Sequence, residues 1–230
     1  MKYGLSQNQL KMIAAASMLL DHVGAELFPQ IILLRVIGRL SFPLFSYFVY
    51  EGFNHTRNRK WYFLRILLLG IVCVVAYYLY SGEIYGNVLI TFALSLIVLQ
   101  GIEIGWKNSS GTGKDMVYGW IYAVGSVVLV FLINTWIYVD YGMLGVLLPT
   151  FAEFASMWNG KRNLYGSIIG FGIGLLLLSV NMGGIQYFSL ITILLLLAYN
   201  GRRGTKNLKQ FFYWFYPAHL AAIEIISMFI

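Results

Sequence analysis

The chain has 230 residues, 59% hydrophobic and 11% charged, with a mean hydropathy of +0.72 and a formal net charge of +7. That composition excludes an ordinary soluble globular domain and describes an integral membrane protein. The positive excess is explained by loops facing anionic lipid without a nucleic-acid partner, and a single cysteine, Cys73, excludes an internal disulfide.

Apolar stretches able to span a hydrocarbon core of about 30 Å are expected at 10–28, 31–52, 61–80, 86–104, 117–138, 141–158, 164–181, 185–199 and 211–230. The first follows Lys2, but only Met12 and Ile13 precede Ala14, Ala15 and Ala16 without interruption. That run is too short for the apolar core of a signal peptide, so an uncleaved first helix is expected. With the N-terminus in the cytoplasm, Lys2, Lys11, Arg57, Arg59, Lys60, Arg65, Lys107, Lys114, Lys161, Arg162, Arg202, Arg203, Lys206 and Lys209 all fall on the inner side. The connections around Pro29, Ser81 to Gly86, Val139 to Gly142 and Asn181 to Gly184 hold no lysine or arginine. The positive-inside rule is met at every loop. The expected fold is a single all-α bundle of about nine transmembrane helices in the cytoplasmic membrane, with an external C-terminus and one domain over 1–230. No internal repeat supports an inverted-repeat transporter, and Gly166, Gly170 and Gly174 recur every fourth residue as a helix-packing face.

Two basic residues, Arg35 and Arg39, remain inside the membrane, and intramembrane polar groups are functional hypotheses by default. Counting about 1.5 Å per residue, His22 lies about 10 Å and Arg39 about 13 Å below the outer face, while His219 rises about 14 Å from the inner end of the last helix. Glu224 lies about 7 Å further along. These groups share a band between the midplane and the outer leaflet. Asp21 and His22 are consecutive and point about 100° apart, so Asp21 is expected to pair with Arg39 or Arg35, four residues apart on one face. His22 is then left to face a cavity, where a histidine can take and return a proton. The structural alternative is a buried ion pair that orders the bundle.

At the inner end of the second span, Glu51, His55 and Thr56 precede Arg57, Arg59, Lys60, Trp61, Tyr62 and Arg65. The positive charge exceeds what orientation requires. Such a cluster with neighbouring aromatic rings suits a phosphorylated, nucleotide-bearing molecule; attraction to anionic lipid is the alternative.

The run Leu10-Lys11-Met12-Ile13 to Asp21-His22-Val23-Gly24, then Arg35 to Phe45, then Glu51-Gly52-Phe53 to His55-Thr56-Arg57 resembles the TraX family. The similarity continues through Asn87 and Thr91, Asp140-Tyr141-Gly142 to Pro149, and Phe215 to Leu220. The resemblance implies acetyl transfer, associated in that family with the N-terminus of conjugative pilin. TraX proteins are similar in turn to bacterial membrane O-acetyltransferases and to lysosomal heparan-glucosaminide N-acetyltransferase. Lys11 ahead of His22 resembles a basic residue and histidine of the O-acetyltransferases, with lysine in place of the usual arginine.

The expected reaction moves an acetyl group from cytoplasmic acetyl-coenzyme A to an external amine or hydroxyl, on pilin or a surface glycan, without a metal. Its phosphates would meet Arg57, Arg59, Lys60 and Arg65, with Lys11 and His55 beside them. His22 is the expected base, Arg39 stabilises the oxyanion if Asp21 leaves it available, and His219 with Tyr216 supplies a second donor or positions the acceptor. Asn87, Thr91 and Asp140 suit acceptor recognition at the outer mouth. The rival reading is a small-solute or proton-coupled transporter, because the same side chains build proton relays. Self-association of copies is compatible with either reading.

Overall fold

The computed structural model describes residues 4–109, 111, 113–157 and 162–229, without the side chain of Lys209. Lys2 and Lys161, expected in inner loops, lie outside the described residues. Among the described residues the fold is all-α. The helices are α1 (Gln7–Glu26), α2 (Ile32–Gly38), α3 (Ser41–His55), α4 (Arg59–Ser81), α5 (Val88–Ser109), α6 (Lys114–Trp136) and α7 (Gly142–Ser156). They are followed by α8 (Leu164–Met182), a 3-10 helix (Gly184–Leu190), α9 (Ile191–Leu197) and α10 (Lys209–Ser227).

Five of the helical runs are long and apolar enough to cross a membrane: α2 with α3, then α4, α5, α6 and α8. The chain is a multi-pass membrane protein. Helices α1 and α10 are long enough but diluted by polar residues, whereas α7 and the 3-10 helix with α9 are apolar but shorter. Only 17% of the apolar window of α4 and 11% of that of α6 are buried within the protein. Their outward rows, such as Leu68, Val72, Val75 and Leu79 on α4, therefore suit hydrocarbon rather than water.

The second expected span is interrupted. A turn at Arg39 and Leu40 separates α2 from α3. Pro43 lacks the N–H that an unbroken helix would donate to the Arg39 carbonyl, so α3 starts afresh just after the arginine. The eighth expected span also differs, because Gly183 and Gly184 adopt positive φ and the chain re-enters as a 3-10 helix.

The chain divides into two compact units, one of Met1–Phe48 with Leu175–Ile230 and the other of Val49–Gly174. In the first, α1 packs against α2 and α10, and α2 also packs against the 3-10 helix. Ser6 caps α1 by a reciprocal box with Gln9, and the segment ahead of it pairs with the distant chain: Leu5 N–H donates to Ala198 O at 2.8 Å and Asn200 N–H to Leu5 O at 3.0 Å. In the second unit α5 is central, packed by α4, α6 and α7 around Leu94, Val98, Ile102, Val130 and Val146.

The glycine face expected on α8 meets α7. A Cβ at Gly166 would stand 2.6 Å from Ala155 O, one at Gly174 would stand 2.7 Å from the Phe151 ring, and one at Gly170 would strike the Phe151 carbonyl. Gly170→Leu should therefore destabilise the protein by about 1–3 kcal/mol through overpacking. Thermal unfolding in detergent measures it, with the exposed Ile169→Leu as a neutral control.

Candidate active site

The catalytic candidates come together in the first unit, and small residues permit it. A side chain at Gly38 would occupy the space of Asp21, and one at Gly24 would approach Leu34 Cβ to 2.7 Å. With hydrogens in those two places, α1 and α2 close on each other. Asp21 then takes both arginines of α2. Arg39 Nη2 donates to Oδ1 and Oδ2 at 2.7 Å each, while Arg35 Nη1 lies 3.1 Å from Oδ2 and donates to the Asp21 carbonyl at 2.9 Å. Where the sequence left Arg39 or Arg35 as alternatives, both are engaged. The conditional oxyanion role of Arg39 is thereby weakened, since its Nη2 is already committed to a carboxylate.

His22, on the adjacent position of α1, points elsewhere. Its Nδ1 lies 3.0 Å from Met18 O and 3.1 Å from Nε2 of His219 on α10, with ring centroids 5.0 Å apart. His219 Nδ1 in turn lies 2.7 Å from Phe215 O. A carbonyl oxygen only accepts, so each Nδ1 carries a hydrogen and each neutral ring keeps its lone pair on Nε2. The Nδ1–H of His22 is thus shared between Met18 O and the lone pair of His219. Its own Nε2 has no hydrogen bond among the described residues and is the available base. Phe215 stacks on His219 at 4.8 Å and 9°, and Tyr216, 6% exposed, packs edge-on at 5.7 Å. His219 is 6% exposed and its ring is held from three directions.

Lys11 precedes His22 on α1 by about three turns, with its ammonium 5.4 Å from the Phe48 ring centre and 5.8 Å from that of Phe212. Aromatic faces attract a cation through the ring quadrupole.

The second unit is less uniform with the expectations. Arg57 and Lys60 are exposed, and His55 is exposed with Nδ1–H donating to Glu51 O at 2.9 Å. Arg65 is half-buried and donates through Nε to Trp61 O at 3.0 Å. Arg59, expected as a phosphate ligand, is instead paired with Glu103, donates to Phe53 O at 3.1 Å and lies 4.0 Å over the Phe53 ring. Glu103 is also met by Lys107 at 3.0 Å, and Arg162 reaches Glu153 at 2.6 Å. Glu153 is fully buried and accepts from Asn54 Nδ2 at 2.8 Å. Sequence reasoning passed over this network. The spacing of Glu103 and Lys107 was its one local signal; Glu153 had none.

The residues expected to recognise the acceptor have structural partners. Asn87 Oδ1 accepts from Leu89 and Ile90 N–H at the start of α5, and its Nδ2 donates to Gly70 O at 3.0 Å. Thr91 Oγ1 donates to the Asp140 carbonyl at 2.9 Å, and Asp140 Oδ1 accepts from the Tyr85 hydroxyl at 2.7 Å. Burial, then the Asp140 hydrogen bond, pushes the Tyr85 phenol pKa upward, so the donor persists through ordinary alkaline pH. These three residues anchor helix ends rather than present free groups.

A model of one protein family, described as TraX protein, matches residues 6–227. The probable fimbrial assembly protein FimC, serogroup H1, of Dichelobacter nodosus is 28% identical over 254 aligned positions, covering 96% of each chain. An uncharacterized protein of Rickettsia prowazekii (strain Madrid E) is 28% identical over 158 positions, covering 69% of this chain and 58% of that protein. No solved structure matches the chain.

Removing Arg39 leaves the Asp21 charge with a half-exposed partner only. Arg39→Ala should cost about 3 kcal/mol and Arg35→Ala about 1 kcal/mol or less, as read by thermal unfolding of the detergent-solubilised protein. Equal costs would contradict the ranking of the two arginines.

Proposed function

We propose that this chain, which belongs to the TraX family, is a membrane-embedded acetyltransferase using cytoplasmic acetyl-coenzyme A and an acceptor at the external face. The observation that carries this reading is the hydrogen-bonded contact of His22 with His219, 3.1 Å long and 197 residues apart in sequence. The basic loops favour nine passes with the N-terminus inside. In that topology the histidine pair lies in the outer half of the membrane.

The phosphates of the donor are drawn to exposed Arg57 and Lys60 and to half-buried Arg65, while Arg59 is committed to Glu103. The ammonium of Lys11 holds a further anionic or polar group of the donor, and the pantetheine arm runs along α1 for about 16 Å to His22. At His22, Nε2 removes the proton as the acceptor amine or hydroxyl attacks the thioester carbonyl. Collapse of the tetrahedral intermediate breaks the C–S bond, and the proton on His22 passes to the departing thiolate. Coenzyme A thiol and acetylated acceptor result. Through its Nε2 lone pair, His219 supports the Nδ1–H of His22 while the imidazolium exists and keeps the ring in one orientation. His219 is a positioning residue in this scheme.

The printed description of the Dichelobacter nodosus relative favours a pilin-type subunit as acceptor over a surface glycan. Membership of the family supports acetyl transfer over solute transport.

The test supplies purified protein in nanodiscs with labelled acetyl-coenzyme A and reads thiol release and acetyl transfer. His22→Ala should lower the rate by at least 100-fold, in the range general-base loss produces. His219→Ala should lower it about tenfold and leave KM for the thioester unchanged. Full activity in His22→Ala removes the assignment, and solute flux without thioester consumption supports a transporter instead.

A further inference from the structure

A row of buried polar groups lies on the 3-10 helix and α9, outside the residues used above. Gln186 is 3% exposed, and neither its Oε1 nor its Nε2 has a hydrogen-bond partner among the described residues. Thr192 Oγ1 is fully buried and likewise unpartnered, while Ser189 Oγ lies 3.1 Å from Ser179 Oγ. In a 3-10 helix residues three apart eclipse one another, so Gln186 and Ser189 stand on one line and Thr192 follows one turn later. Tyr187, Phe188, Ile191 and Leu194 are exposed around the remaining surface. The tighter helix thus gathers its polar side chains on an inward stripe.

Two contacts fix the depth of that stripe relative to the catalytic candidates, all within the first unit. The 3-10 helix packs against α2, and Tyr199, just past α9, meets Tyr47 and Phe48 of α3 at 6.4 and 5.7 Å between ring centres. The two runs therefore lie side by side in the same direction. Counting back at about 1.5 Å per residue, Thr192 lies about 10 Å from the Tyr199 level and Arg39 about 12 Å from the Tyr47 level. Thr192 is level with Arg39, and Gln186 lies further towards the end where α2 begins.

Gln186 is shielded from solvent by the protein around it rather than by depth in the membrane, and an orphaned pair of donor and acceptor is costly there. A partner that settles both atoms must itself offer one acceptor and one donor side by side. We propose that Gln186, with Thr192 beyond it, is a substrate subsite that binds a secondary amide: its Nε2 donates to the amide oxygen and its Oε1 accepts from the amide N–H. This inference rests on the acetyl-transfer reading, which supplies two sources of such a group, the peptide backbone of an acceptor and the pantetheine arm of the donor.

The experiment measures binding, so it is independent of turnover. Acetyl-pantetheine, which carries amides and no phosphate, and a short peptide with a free α-amine are titrated against the nanodisc protein as wild type, Gln186→Leu, Gln186→Glu and the near-isosteric Thr192→Val. Gln186→Leu should weaken one probe about tenfold, the scale of one lost hydrogen-bonded pair. Gln186→Glu, which keeps the shape and exchanges the N–H donors for a carboxyl, should weaken the same probe as the pH is raised and the carboxyl ionises. Loss confined to acetyl-pantetheine identifies the donor amide, and loss confined to the peptide identifies the acceptor. Should Gln186→Leu fail to fold, Gln186→Glu and Thr192→Val carry the same test. Unchanged affinities in the folded variants, or no binding of either probe by wild type, overturn the subsite and leave a trapped water as the partner of Gln186. Thioester cleavage by wild type, measured separately, keeps that failure distinct from failure of the acetyl-transfer reading.

Discussion

A largely buried carboxylate must be paired, and the pairing of Asp21 organises the first unit. Its two oxygens and its carbonyl take Arg39 and Arg35 together, which draws α2 against α1 at a distance only Gly24 and Gly38 allow. The same commitment decides what the next residue can do. Since the charge of Asp21 is turned towards α2, His22 is oriented by a backbone carbonyl and by a second histidine rather than by a carboxylate.

The second unit solves a similar problem with different consequences. Two buried carboxylates, Glu103 and Glu153, gather Arg59, Lys107 and Arg162 from separate parts of the chain. These cations lie in connections between apolar runs by sequence position and are paired by contact. The two do not conflict, because the head groups are at the ends of helices whose bodies remain apolar. Arg59 nevertheless cannot be counted among the freely available charges, whereas Arg57 and Lys60 remain exposed.

Much of this was legible in the sequence, for stated reasons. Apolar length placed nearly every helix, and the four-residue spacing of Arg35 and Arg39 put both on the face that Asp21 occupies. His219 was legible by its depth. Glu103 and Glu153 were not, since a glutamate near the end of an apolar run reads as an ordinary helix terminus until the neighbouring helices are packed. For Asn87, Thr91 and Asp140 the sequence showed polar residues at a mouth but not their partners: their hydrogen bonds close a turn and cap α5. Gln186, Ser189 and Thr192 recur every third residue and share a face in either kind of helix, but nothing in the sequence said that this face is buried.

The pairing of Leu5 with the strand-like stretch at 198–200 bears on biosynthesis. A ribosome delivers the opening helix long before the segment that it needs at its base, and His22 waits longer still for its counterpart on α10. The first unit therefore closes only once α10 has been made, at the entropic expense of a very long loop. A product terminated before α10 would insert its early helices yet never bring His22 and His219 together.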